Sequence, residues 1–115
     1  MAADTTIDLI INQKVSFQAS FTVKDADGVA IDLTPYTVEA KYKTDYSAAD
    51  STAALFTAQI TDAANGQIQT SLSPAITAGL TVGQKYVYDV VITNTSTLYE
   101  TRIVQGTFKV SPGVT

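Results

Sequence analysis

Much of the chain alternates apolar and polar residues with a period of two. Val15, Phe17, Ala19, Phe21 and Val23 alternate with Ser16, Gln18, Ser20, Thr22 and Lys24, the pattern of a half-buried strand. Lys85 to Thr93 is denser: Tyr86, Tyr88, Val90 and Ile92 share one face, and Val87, Asp89, Val91 and Thr93 share the other. A strand so apolar on both faces belongs in the middle of a two-layer β protein rather than at its edge. Shorter strands are predicted around these two. Ile7, Leu9 and Ile11 form an arm strand closed by Asn12 and Gln13, and Val29 to Leu33 returns after the hairpin turn Asp25-Ala26-Asp27-Gly28. Val38, Ala40 and Tyr42 follow a corner at Pro35, and strands from Leu55 to Thr61 and Gln67 to Leu72 flank the Asn65-Gly66 turn. Leu98 to Val110 closes the sheet, with Gly106 predicting a bulge or bend. Helix is confined to one predicted turn over Ser73 to Gly79, with Ser73 as cap and Pro74 in the first helical position. Thr44 to Ala54 has no apolar period and is read as a projecting connection. The sum is an all-β, antiparallel sandwich of about eight strands.

At 115 residues and 45% hydrophobic content the chain fits one domain able to bury a core. We assign residues 1–6 to a flexible arm, 7–112 to the sandwich and 113–115 to a tail. Without cysteine, stability must come from packing. The first residues carry no secretion signal and no stretch is long enough to span a membrane, so no membrane partner and cytoplasmic synthesis are expected. The net charge is −4, with scattered basic residues, which argues against nucleic acid as partner. Only 16% of residues are charged, and Thr, Ser, Ala and Gln supply most of the polar or small surface. Such a weakly charged surface suits contact with other subunits.

The absence of histidine and cysteine removes the usual general base, the Ser-His and Cys-His nucleophile pairs and ordinary zinc sites. Asp25 and Asp27 share a tight turn, and Asp45, Asp50 and Asp62 fall in separate loops without the flanking of an acid-base pair, so no enzyme, cofactor or metal is expected. Asp25 and Asp27, with Asp32, lack the further ligands of a calcium loop and read as plain turn chemistry. Asp89, among apolar neighbours, needs a partner, for which Arg102 on the adjacent strand is the candidate. Tyr86 and Tyr88 read as core rings with hydroxyls tied to loop backbone. Tyr46 and Tyr99, in or beside connections, are contact candidates, as are Ala48 and Ala49 in the small-residue connection.

Leu80-x-x-Gly83-x-x-Tyr86-x-Tyr88-x-Val90 resembles the loop and penultimate strand of immunoglobulin-like domains, which makes the expected sandwich immunoglobulin-like. A likeness covering most of the chain runs through LIINQKVSFQASFTVKDADGVAIDLTPYTVEAKYK, NGQIQTSLSPAITAGL, GQKYVYDVVIT and TRIVQGTFKVSP. It resembles the small virion-associated proteins of tailed bacteriophages and the N-terminal domain of phage baseplate upper proteins. Two departures stand out: Pro35 replaces a glycine common at that corner, and the chain stops at Thr115 where baseplate proteins continue into receptor-binding regions. The resemblance implies a non-enzymatic virion protein, assembled in the host cytoplasm and self-associating in the particle. Its implied partners are the major capsid protein, as decoration or cement, or tail, neck and baseplate proteins, as an adaptor. An adhesion or carbohydrate-binding module is the alternative. In the expected mechanism the arm from Asp4 to Ile11 pairs with a neighbour's edge strand, with Ile7, Leu9 and Ile11 as apolar contacts. Removing residues 1–11 is then expected to abolish particle binding while leaving the domain folded.

Overall fold

The computed structural model describes residues 5–25, 27–45, 47 and 53–113. The strands are β1 (Thr5–Thr6), β2 (Leu9–Asn12), β3 (Phe17–Thr22), β4 (Tyr36–Lys43), β5 (Ala54–Leu55), β6 (Thr57–Asp62), β7 (Gln67–Leu72), β8 (Lys85–Asn94) and β9 (Glu100–Ser111). One sheet runs β9-β8-β4-β5, with β1 and β2 in succession along the outer edge of β9, and the other runs β3-β7-β6. This is an immunoglobulin-type two-sheet arrangement, with β8 central as its double apolar pattern predicts. The one helical turn, α1 (Pro74–Ala78), begins at Ser73, whose Oγ accepts the Ile76 N–H at 3.4 Å.

Inward side chains of both sheets meet around Phe108, which is fully buried. Tyr86 stacks on it with centroids 4.8 Å apart and planes at 9°, while Tyr42 and Phe56 approach edge-on at 5.5 and 6.0 Å. Each such pair adds about 0.5–1.5 kcal/mol beyond area burial. The polar ends of the tyrosines are satisfied at the core boundary. Tyr86 Oη accepts the Thr81 N–H at 3.0 Å, and Tyr88 Oη donates to the Ile7 carbonyl at 2.5 Å. Burial, followed by the nearby Asp8 charge, pushes the Tyr88 phenol up to about 12, so it stays a donor at any physiological pH.

Four sequence expectations are corrected. The sandwich is not wholly antiparallel, because β1 and β2 pair parallel to β9, Thr5 with Val104 and Leu9 with Phe108. A period of two is the same in either direction and carries no sign of strand polarity. Gly106 makes no bulge: the register shift lies between Val90 and Val91, opposite Ile103. A Cβ on Gly106 would instead stand 2.0 Å from the Ile7 carbonyl oxygen, so glycine is required where the arm crosses β9. The segment from Leu55 to Thr61 is two strands, with buried Phe56 at the switch from one sheet to the other. Val29 to Leu33 forms a single bridge, Lys24 with Ala30, because the chain is there passing between sheets and Leu33 N–H bonds Ala63 instead.

The arm is held tightly. Ile7 N–H donates to Gln105 O at 2.9 Å, and Asp8 Oδ1 accepts both the N–H and hydroxyl of Thr107 at 3.2 and 3.1 Å. Gly106→Ala is therefore expected to cost about 1–3 kcal/mol, by overpacking against the Ile7 backbone. Thermal denaturation should register the loss, and amide exchange should show deprotection at Ile7 first.

Candidate functional site

The sequence-derived contact residues do not gather in one place. Ile7 and Leu9 are half-buried, and Ile11 is fully buried in the core, paired with Val110 on the chain's own β9. The arm is thus an intramolecular strand, which corrects the expectation of a free arm presenting Ile11 to a neighbour. The parity points the other way: among the described arm residues Ile10 is the large apolar side chain that faces solvent, 70% exposed. Tyr46, Ala48 and Ala49 lie outside the described residues. Tyr99 is 63% exposed, at the β8–β9 hairpin.

That hairpin is fixed by a network of hydrogen bonds. Asn94 Oδ1 accepts the N–H groups of Ser96 and Thr97 at 2.9 and 3.1 Å, and Leu98 N–H donates to Asn94 O at 2.8 Å. Thr95 donates from both its N–H and its hydroxyl to Pro35 O, at 2.9 and 3.1 Å, tying the tip to the corner before β4. The outcome is a fixed turn with Leu98 at φ +60° and 74% exposed, beside Tyr99. A left-handed backbone at a bulky residue costs about 1–2 kcal/mol relative to the right-handed form. Glycine or asparagine is the ordinary choice there. Sequence reasoning missed Leu98; the signal available was a leucine where the Asn94-to-Thr97 turn calls for a small or flexible residue.

The outer face of the larger sheet holds the strand charges. An open depression of about 390 Å³ is lined there by Lys41, Lys43, Val87, Asp89, Val91 and Arg102, among others. Burial raises the Asp89 pKa, and Arg102, then Lys41 and Lys43, oppose that rise. Arg102 stands opposite Val91 on β9, close enough to be the strongest of these opposing charges. Lys41, directly across from Asp89, forms its ion pair with Glu39 at 3.2 Å. Across the molecule the smaller sheet differs. Gln18, Ser20 and Thr22 point outward from β3, and Gln67, Gln69 and Ser71 from β7. β6 adds Thr57, Gln59 and, past a register shift, Asp62 opposite Gln67, so this face is mostly amide and hydroxyl with a carboxylate at one corner.

Asp25 is committed to its own turn, its Oδ1 accepting the N–H groups of Asp27 and Val29 at 2.9 and 3.0 Å. Asp32 accepts both the N–H and the hydroxyl of Thr34, which lowers its pKa. Among the described residues no three acidic side chains converge as metal ligands. No protein-family model matches the chain, and no curated protein matches it.

Because the folded state raises the Asp89 pKa, the native protein binds this proton more tightly than the unfolded chain. Its contribution therefore favours folding at low pH and declines as pH rises through the folded pKa. Asp89→Asn is expected to stabilise the protein at pH 7 by less than about 1 kcal/mol after solvent screening. The advantage should vanish below about pH 3, where both states are protonated. Denaturant melts at the two pH values check both the sign and the window.

Proposed function

We propose that this protein is a non-enzymatic structural module of a tailed-bacteriophage virion, bound in multiple copies to other virion proteins. In this reading it decorates or cements the capsid. The observation that supports a binding module is the β8–β9 tip, where a bulky apolar side chain is held in a costly backbone conformation and displayed to solvent. Strain retained by a surrounding hydrogen-bond network is a mark of a contact site. Leu98 and Tyr99 then serve as a small preformed anchor, and preorganisation spares the entropy of ordering the loop on binding. The virion assignment is supported by the sequence resemblance across the strands described above. The partner in this reading is the major capsid protein, and many weak anchors acting together suffice for attachment.

A neck, tail or baseplate adaptor uses the same tip and differs in copy number. A carbohydrate-binding module needs a platform of exposed rings, and among the described residues Tyr99 is the one aromatic side chain more than half exposed.

Quantitative mass spectrometry of purified particles, normalised to the major capsid protein, is expected to give a copy number that tracks the capsid subunits. A low count matching tail symmetry assigns the adaptor role, and absence from the particle overturns the virion reading. Leu98→Gly separates binding from folding. It should raise stability by about 0.5–1 kcal/mol through relief of the backbone strain, while weakening retention on particles at least tenfold. Unchanged retention would remove the tip from the mechanism.

A further inference from the structure

We infer that Asn65–Gly66 is a latent modification site: a self-cyclising pair that the folded turn holds unreactive and that opening of the turn releases to irreversible deamidation. The inference does not depend on the virion reading, since it rests on the chemistry of the turn alone.

The reaction needs no partner but water. The Gly66 backbone nitrogen, giving up its proton to solvent base, attacks Asn65 Cγ. The new N–Cγ bond closes a succinimide ring, and the Cγ–Nδ2 bond breaks to release ammonia. Water then opens the ring at either carbonyl, leaving aspartate or its β-linked isomer, with no change in oxidation state. Asparagine counts among the thermolabile residues, and glycine after it has no Cβ to crowd the attacking nitrogen. Of Asn12, Asn65 and Asn94, only Asn65 precedes glycine.

Asn65 is exposed, so water reaches it. Both reacting groups are nevertheless engaged elsewhere. Asn65 Nδ2 donates to Asp62 Oδ2 at 2.8 Å. Asp62 opens the tight turn Ala63–Asn65, yet its carboxylate accepts no backbone N–H of that turn, and it serves instead to hold the asparagine amide. The nucleophile is occupied as well, because Gly66 N–H donates to Ala63 O at 3.2 Å.

What fixes the turn is remote in sequence. Val23 N–H donates to Gly66 O at 2.8 Å, and Leu33 N–H donates to Ala63 O at 2.7 Å, with Leu33 fully buried. Gly66 has φ +68°, and a Cβ there would lie 2.7 Å from Val23 O and 2.8 Å from Ile31 O. Turning Gly66 N onto Asn65 Cγ therefore requires the segment from Val23 to Leu33 to let go. The native reaction then follows the open fraction, as amide exchange does. The same contacts make the step a trap. The β-linked product adds a carbon to the main chain where Gly66 has no room, and aspartate sets a second carboxylate beside Asp62.

The test is incubation of the intact protein in mildly alkaline buffer, with and without denaturing guanidinium. Peptide mapping reads the mass gain of amide-to-acid conversion, and enzymatic methylation reads β-linked aspartate. In denaturant Asn65 should convert at least tenfold faster than Asn12 or Asn94, and in the native protein at least tenfold more slowly than in denaturant. Asp62→Ala, compared with the wild type at equal distance below each melting point, should raise the native rate at least threefold and leave the denatured rate unchanged. The converted fraction, separated by anion exchange, should melt at a lower temperature than the unconverted protein. Equal native and denatured rates overturn the inference. So do an Asp62→Ala protein that converts at the native wild-type rate and a converted fraction that melts as the original does.

Discussion

The aromatic core is built around the ring of Phe108. It is contributed by β9, lies opposite Leu9 of the arm and Tyr86 of β8, and meets Tyr42 from β4 and Phe56 from the point where the chain changes sheets. A ring so enclosed loses contacts on every side if any neighbour moves, because protein interiors are packed at crystal-like density. Without a disulfide, this aromatic cluster is the element that joins sheet to sheet, and truncation of such a phenylalanine ordinarily costs about 3–5 kcal/mol. The arm owes its position to the same place: Leu9 pairs with Phe108, and Tyr88, two residues from Tyr86, reaches out to hold the Ile7 carbonyl.

Fixing the arm in this way decides which surfaces remain for partners. An edge strand with unpaired backbone groups is a template for association. Here β9 is covered by its own N-terminal segment, with Asp8 filling in for the main chain where β1 and β2 are interrupted. The apolar residues that would have served a donated strand are consumed internally. Among the exposed surfaces are the strained tip of the β8–β9 hairpin and the mostly amide and hydroxyl outer face of the smaller sheet.

The two sheets differ in electrostatics as well as in size. Charges on the larger sheet surround Asp89, whose desolvation is only partly offset by Arg102 and the lysines. The smaller sheet carries mostly amides and hydroxyls, with Asp62 as the carboxylate of its ladder.

The strands, their inward faces, the cap at Ser73 and the core placement of Tyr86 and Tyr88 were legible in the sequence. Alternation and local turn chemistry are properties of neighbouring residues. The exposure of Tyr99 followed from its place beside a turn. Strand polarity was not legible, because a period of two reads the same whether the arm lies parallel or antiparallel to β9. Nor was the fate of Ile11: an alternating apolar arm looks alike whether it packs on its own sheet or on a neighbour's. The sheet change at Phe56 and the requirement for glycine at position 106 depend on segments far apart in the chain, the latter on Ile7 passing over β9. The gathering of amide and hydroxyl side chains on one face was equally hidden, since Ser20, Gln69 and Gln59 become neighbours only when β3, β7 and β6 pair. Local pattern determined which residues face inward, while tertiary pairing alone decided which outward residues share a surface.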